Sequence, residues 1–192
     1  GCQSWHSGKN LTVFFSDMEG FTKLAEELDP EQLTSLLNTY LTEMSEIAFR
    51  FGGTVDKVIG DAIMVFFGDP ESRGVRADAL SCVSMAVAMQ QAMTELQARW
   101  RAEGIANPPA LRMGINSGPC KVGNFGTENR LDYTLLGRTV NLASRLESAA
   151  ASNEILISKD TYVLIADAVD CTDKGQISVK GFSAPINVFS VT

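Results

Sequence analysis

The sequence predicts an α+β fold in which helices pack over one face of a mostly antiparallel sheet. Two observations support this prediction: the pattern of segments indicates the arrangement, and the composition indicates a globular domain. Segments with helical periodicity alternate with pairs of strand-like segments, whereas a doubly wound parallel sheet would alternate helices with single strands. The chain has 192 residues, of which 45% are hydrophobic and 20% are charged, and these proportions are typical of a globular domain. We therefore expect one compact domain built around that sheet.

The first half of the chain combines apolar strand-like runs with amphipathic segments. Its expected elements are a strand at 11–18, helices at 21–28 and 30–51, and paired strands at 54–59 and 62–67. Asp29-Pro30 is typical of an N-cap followed by the first helical position, and Gly52-Gly53 is typical of a helix end. Gly60-Asp61 suits a tight hairpin between the paired strands.

The second half repeats the same kinds of element. We expect a long helix at 76–103, strands at 111–117 and 132–136, a helix at 139–150, a strand at 154–158, a helix at 160–166, and strands at 176–180 and 187–191. The glycine-rich segment 118–129 is expected to connect the first two of these strands.

Charge and histidine content exclude several classes of function. The chain carries 16 Lys and Arg against 23 Asp and Glu, and its net charge of −7 argues against a nucleic-acid-binding face. His6 is the only histidine, which excludes Ser-His-Asp triads, Cys-His dyads and His-ligated zinc. Catalysis would therefore depend on carboxylates, amides, hydroxyls, Lys, Arg or a hard metal.

Cysteine usage and hydropathy indicate a cytoplasmic chain. No C-x-x-C pair occurs, so we expect a reducing compartment with Cys82 and Cys120 buried as free thiols. The purest apolar run, Ala62–Phe67, is far shorter than the ~18 residues that a membrane span needs. We expect residues 1–10 to be a polar leader or linker remnant and 11–192 to be the folded domain. Any membrane or sensor segment is expected outside this chain.

Two aspartates beside tight turns are the main candidates for chemistry. Asp17 could cap the helix that follows it, or face a turn whose amides bind phosphate. Asp61 lies in a hairpin between strands that we expect to be buried, where an uncompensated carboxylate is costly. If the hairpin pairs beside the first strand, both carboxylates reach one sheet edge and repel each other. A divalent cation would relieve this repulsion, which points to metal-dependent phosphoryl or nucleotidyl transfer.

Three further polar residues have both a structural and a functional interpretation. Asn141 and Arg145 are four residues apart on a predicted helix and so share one face. That face could simply be solvated, or it could direct a hydrogen-bond donor and a charge at one developing anion. Lys180 could be a surface lysine on a strand or a phosphate contact.

Five ordered motifs resemble the catalytic domain of class III nucleotidyl cyclases, the family of adenylyl and guanylyl cyclases. They are VFFSDMEGFT, GGTVDKVIGDAIMVFFG, LRMGINSGP, LDYTLLGRTVNLASRLE and VKGF, and the resemblance covers about residues 11–191. The resemblance implies a ferredoxin-like core related to polymerase palm domains. It also implies a head-to-tail homodimer in which two active sites are shared across the interface.

The resemblance also implies individual roles. Asp17 and Asp61 match the residues that bind two divalent cations, Mg²⁺ or Mn²⁺, and Met18 would add its carbonyl oxygen. Asn141 and Arg145 match the pair that positions the ribose and stabilises the transition state. Further matches are phosphate contacts, namely Lys180, Arg112 and the turn formed by Gly20, Phe21 and Thr22.

Lys57 and Thr134 match the pair of residues that reads the base, and they favour ATP over GTP. Lys57 can donate to adenine N1, and the Thr134 hydroxyl can accept from the 6-amino group. Guanine would place a protonated N1 against Lys57, a mismatch that costs about 1–3 kcal/mol when buried. The Lys/Thr pair resembles the bacterial class IIIb adenylate cyclases, which are often responsive to bicarbonate.

Alternative functions stay open at the level of sequence. Cyclisation of GTP and linear nucleotidyl transfer use the same fold, although the run Arg50-Phe51-Gly52-Gly53-Thr54 differs from the GGDEF turn of diguanylate cyclases. A non-catalytic nucleotide-sensing or dimerisation module is a third possibility. Such modules typically lose a metal-binding Asp or the Asn/Arg pair, whereas every matched position is filled here.

Overall fold

A computed structural model describes residues 4–192; residues 1–3, which include Cys2, lie outside the described part of the chain. The order of helices and strands agrees with the prediction. The elements are β1 (Ser4–Glu19), α1 (Phe21–Glu27), α2 (Pro30–Arg50), β2 (Thr54–Ile59), β3 (Ala62–Phe67), α3 (Val75–Ala102), β4 (Ala110–Thr127), β5 (Arg130–Leu136), α4 (Arg138–Ala149), β6 (Ile155–Ser158), α5 (Lys159–Ile165), β7 (Cys171–Ile177) and β8 (Ile186–Val191).

The strands form one sheet, which is mostly antiparallel as predicted. Their order is β2-β3-β1-β4-β6-β8-β7, and β5 pairs with the far half of β4. Among the described residues, β4 and β6 form the single parallel pair. β1 lies at the centre, between β3 and β4, and this position brings the end of β1 beside the β2–β3 turn.

Helices cover both faces of the sheet, so the prediction that they lie over one face is wrong. Phe14 of β1 packs into the main core, which α2, α3 and α5 complete. Its neighbour Val13 points to the opposite face and shares a second cluster with Ala143 of α4. Both side chains are fully buried. A strand that is apolar on both sides needs cover on both sides, and the consecutive apolar residues 13–15 of β1 were a signal of this.

A glycine allows α4 to approach the sheet closely. A Cβ atom on Gly114 of β4 would lie 2.1 Å from the backbone nitrogen of Glu147 and 2.6 Å from the carbonyl oxygen of Ala143. Any side chain at position 114 would therefore push the helix away. The close approach holds the buried side of α4 against the end of β1 that carries Asp17.

Several element bounds differ from the prediction. β1 begins at Ser4, so residues 4–10, expected as a leader or linker remnant, belong to a strand, and 4–6 and 9–10 pair with β4. Most of the segment 118–129 is strand, because β1 and β5 supply backbone partners for its glycines. β7 ends at Ile177, which leaves Lys180 in the turn before β8 rather than on a strand.

Other local expectations are confirmed. Asp29 caps α2 in a reciprocal capping box with Gln32, and Pro30 occupies the first turn. Cys82 and Cys120 are buried free thiols. In the described part of the chain no helix is long and apolar enough to cross a membrane. A cytoplasmic location stays a prediction.

Candidate active site

Asp17 and Asp61 lie side by side at one edge of the sheet, as predicted. Ser16 of β1 pairs with Ile63 of β3, so the β2–β3 turn lies next to the end of β1. One carboxylate oxygen of Asp61 accepts a hydrogen bond of 2.7 Å from the backbone amide of Met18. Asp61 is therefore anchored to the residue that follows Asp17.

Arg112 neutralises Asp17 from the neighbouring strand. The two residues are directly opposite each other in the β1–β4 ladder. Nε of Arg112 donates to Oδ1 of Asp17 at 2.9 Å, and Nη2 donates to Oδ2 at 2.6 Å, which makes a bidentate pair. Burial raises the pKa of Asp17, but hydrogen bonding and the charge of Arg112 outweigh that effect, and the net pKa is lowered. Asp17 is thus held as a carboxylate.

The interpretation of Asp17 as a helix cap is wrong. The N-cap of α1 is Gly20, whose φ of 88° lies in the left-handed region, and no side chain caps this helix. Both carboxylate oxygens of Asp17 accept hydrogen bonds from Arg112, so this carboxylate does not cap the first turn of α1. Gly20, Phe21 and Thr22 form the turn and first residues of that helix.

Three polar side chains beside the aspartates were not predicted. Glu147 of α4 is 8% exposed, and burial together with the hydrogen bond and charge of Asp17 raises its pKa to about 8. The hydroxyls of Ser16 and Tyr40 are buried, and neither has a hydrogen-bond partner of normal geometry among the described residues. A glutamate on the apolar stripe of an amphipathic helix was a visible sequence signal. Nothing in the sequence alone indicated that Ser16 or Tyr40 faces the same site.

The residues at this edge fit a divalent cation. Asp17 and Asp61 offer carboxylate oxygens, which are hard ligands of the kind that Mg²⁺ and Mn²⁺ prefer. In the described residues no three His, Cys, Asp or Glu side chains form a complete metal cage. A Mg²⁺ site usually contains one or two carboxylates and is completed by substrate phosphates and water.

Asn141, Arg145 and Lys180 line one open cavity of about 560 Å³. Asn141 and Arg145 are exposed on α4, and Lys180 approaches from the turn after β7. On the same helix, Glu147 belongs to the buried face, which packs against β4 next to Asp17. Asn141 and Arg145 therefore face away from the aspartates of their own chain.

Lys57 and Thr134 are brought together by a residue between them, Asp56. The Thr134 hydroxyl donates a hydrogen bond to Oδ2 of Asp56. Nζ of Lys57 lies 3.9 Å from Oδ1 of the same carboxylate. The Lys57 side chain is 47% exposed, so its ammonium group is accessible to a ligand. Asp56 was not predicted as a site residue.

A family model identifies the class of this domain. The model of the adenylate and guanylate cyclase catalytic domain matches residues 4–192. The chain belongs to this family, and the sequence-based resemblance is confirmed at that level.

Individual relatives include both adenylyl cyclases and guanylyl cyclases. The structure is similar to that of the adenylyl cyclase CyaB from P. aeruginosa, with 57% identity and a TM-score of 0.96 over 98% of this chain and 96% of that one. The guanylyl cyclase Cya2 is similar with 35% identity and a TM-score of 0.89, over 97% and 94% of the two chains. An adenylate cyclase of Anabaena cylindrica is 33% identical over 96% of this chain and 37% of its own length. The chain spans between 9% and 37% of the length of curated relatives that it matches.

Proposed function

We propose that this chain is an adenylate cyclase catalytic domain that converts ATP to 3′,5′-cyclic AMP and pyrophosphate. The observation that carries the proposal is the grouping of Lys57 and Thr134 around Asp56 in a chain that belongs to the cyclase family. This grouping offers adenine a donor for N1 and an acceptor for the 6-amino group.

In the proposed reaction the ribose 3′-hydroxyl oxygen attacks the α-phosphorus in line and releases its proton to water. The bond between the α-phosphorus and the oxygen that bridges to the β-phosphate breaks, and pyrophosphate leaves. Asp17 and Asp61 would hold two divalent cations, Mg²⁺ or Mn²⁺, with the carbonyl of Met18. These cations, when bound, would lower the pKa of the 3′-hydroxyl and neutralise phosphate charge. Arg145 would stabilise the charge that grows on the α-phosphate, while Asn141 orients the ribose.

The departing pyrophosphate needs its own contacts. Lys180 is placed for this role in the proposal because it lines the same cavity as Arg145. Arg112 would contact the terminal phosphates, which requires it to share or exchange its pairing with Asp17. The amides of Gly20, Phe21 and Thr22 would bind the β- and γ-phosphates, because the backbone N–H groups at the start of α1 have no side-chain cap.

We propose further that the active site is shared between two copies of this chain, with Asp17 and Asp61 from one copy. Lys57, Thr134, Asn141, Arg145 and Lys180 would come from the other. Asn141 and Arg145 face away from the aspartates of their own chain, which supports this arrangement. Apolar side chains are exposed on edge strand β2, where Ile59 is 70% exposed, and on β5, as a partner surface would require.

Cyclisation of GTP is the second candidate, because relatives named as guanylyl cyclases match the chain well. Cya2 has the same fold at 35% identity, and a guanylate cyclase of Drosophila melanogaster is 35% identical over 89% of the chain. Membership of the Lys/Thr subclass and a response to bicarbonate stay predictions.

An assay with product identification separates the candidates. The purified chain is incubated with ATP or GTP, with Mg²⁺ or Mn²⁺, and the cyclic products are resolved by chromatography. We expect cyclic AMP and pyrophosphate in equal amounts, dependent on the metal, and a kcat/KM for ATP that exceeds that for GTP. Preference for GTP, or tight ATP binding without a product, would reject the proposal.

A further inference from the structure

Asp56 is a buried carboxylate that the proposed reaction does not use. Its side chain is only 3% exposed, although it lies on edge strand β2. A buried carboxylate is costly unless it is paired and hydrogen-bonded. Among the described residues its polar contacts are the Thr134 hydroxyl and the more distant Lys57 ammonium group, the two members of the proposed base-reading pair.

A bulge in β2 brings Asp56 to this position. Val55 pairs with Val65 and Lys57 pairs with Met64, so Asp56 is an extra residue in the β2–β3 ladder. Side chains of successive strand residues normally point to opposite faces. A bulge interrupts that alternation and re-aims a side chain, which is how Asp56 and its neighbour Lys57 both reach one location.

The direction of the hydrogen bond between Thr134 and Asp56 follows from their chemistry. An ionised carboxylate can only accept, so the Thr134 hydroxyl must donate its single proton to Asp56. The oxygen of Thr134 then has only lone pairs left for any other partner. We propose that Asp56 is a specificity-determining positioning residue, which fixes Thr134 as an acceptor and thereby selects a 6-amino over a 6-oxo purine nucleotide.

This inference rests on the proposed function, because it assumes that Thr134 reads position 6 of the base. Without Asp56, a threonine hydroxyl could rotate and donate to a 6-oxo group as readily as it accepts from a 6-amino group. Lys57 alone would then discriminate between the bases, through N1. In the intact chain two features would disfavour GTP, namely Lys57 at N1 and Thr134 at position 6.

A substrate analogue can isolate position 6 from N1. In 6-methoxypurine riboside triphosphate, N1 is an unprotonated acceptor as in ATP, but an ether oxygen replaces the amino donor. We would measure kcat/KM for ATP, for this analogue and for purine riboside triphosphate, which carries only hydrogen at position 6. The intact chain should use them in the order ATP, purine, 6-methoxypurine. Equal use of all three would overturn the inference even if no variant folds.

The Asp56→Asn variant tests the positioning role directly. Its amide can donate to the Thr134 oxygen, which frees the hydroxyl proton for the ether oxygen. We expect the ratio of kcat/KM for the analogue to that for ATP to rise about tenfold or more, since an unmatched buried acceptor is expensive. Asp132→Asn is the matched control, because it removes an exposed carboxylate two residues before Thr134. That variant should retain the ratio of the intact chain.

The outcomes separate the two proposals. Preference for ATP in the intact chain, with an unchanged analogue ratio in Asp56→Asn, would overturn the role of Asp56 and leave the proposed function standing. An equal change in Asp132→Asn would overturn it too, because the effect would then be one of general charge. Preference for GTP in the intact chain would reject the proposed function and the inference together.

Discussion

Arg112 donates two hydrogen bonds to the carboxylate of Asp17, from Nε at 2.9 Å and from Nη2 at 2.6 Å. The arginine thus occupies both oxygens of a carboxylate proposed to bind metal. Direct opposition in the β1–β4 ladder aligns the two groups. A guanidinium group in this position balances the negative charge of the site, and it competes with a cation for the same oxygens.

Removing that competitor should strengthen metal binding. In the absence of nucleotide, we expect Arg112→Ala to bind Mn²⁺ about three- to tenfold more tightly, since a partly exposed ion pair contributes roughly 1 kcal/mol. Free Mn²⁺ can be followed by its electron paramagnetic resonance signal. Arg112→Lys keeps the charge but cannot form the bidentate pair. We expect its Mn²⁺ affinity to lie between those of the unsubstituted chain and Arg112→Ala. Weaker Mn²⁺ binding in Arg112→Ala would contradict this role for the pair.

Glu147 should make stability depend on pH in the metal-free chain. Burial and the neighbouring Asp17 raise the pKa of Glu147 from an ordinary value of 4.5 to about 8. Between these values the folded chain holds a proton that the unfolded chain has released, so a rise in pH favours unfolding. The stabilising contribution is full below about pH 4.5 and is lost as pH rises through about 8.

Urea unfolding in the presence of EDTA can measure this dependence. We expect Glu147 to lower the free energy of unfolding as the pH rises from about 5 to about 8. The Glu147→Gln variant should lack this contribution. The lowered pKa of Asp17 acts in the opposite sense, because its contribution is lost only as pH falls below its ordinary value of 3.8. Parallel pH profiles for the two chains would contradict the prediction.

Local sequence signals predicted most of the fold. The capping box at Asp29 and the paired strands β2 and β3 agree with the prediction, because turn and cap chemistry is encoded in adjacent residues. Strand bounds were less predictable where the pairing partner is distant. The glycine-rich half of β4 has weak strand propensity, and it is a strand only because β1 and β5 flank it.

The candidate site was predictable to the extent that its residues match family motifs. Asp17 and Asp61 were expected at one sheet edge, and the structure brings them there. Asp56 could not have been found in this way, because its role depends on a bulge and on a contact 78 residues away. The pairing of Arg112 with Asp17 likewise depends on the register of two distant strands.

Asn141 and Arg145 should be needed for turnover but not for folding. Both are exposed and line a cavity rather than the core, so their truncation removes little packing. We expect Asn141→Ala and Arg145→Ala each to lower kcat by about 10²–10³, as loss of a transition-state donor typically does. Arg99→Ala removes a similarly exposed arginine from α3 and should leave kcat unchanged. Unaltered turnover in both site variants would reject their assignment.

Mixing two inactive chains tests whether the site is shared. In the proposed homodimer, Asp17→Asn and Arg145→Ala would each disable both sites, but a mixed dimer would contain one site with neither substitution. At equal amounts half of the dimers are mixed, so we expect about a quarter of the unsubstituted activity per chain. Arg145→Ala mixed with Asn141→Ala is the control, because both changes fall in the same half of the site and every site remains damaged. Restoration in the control, or none in the test mixture although mixed dimers are detected, would show that each chain carries a complete site.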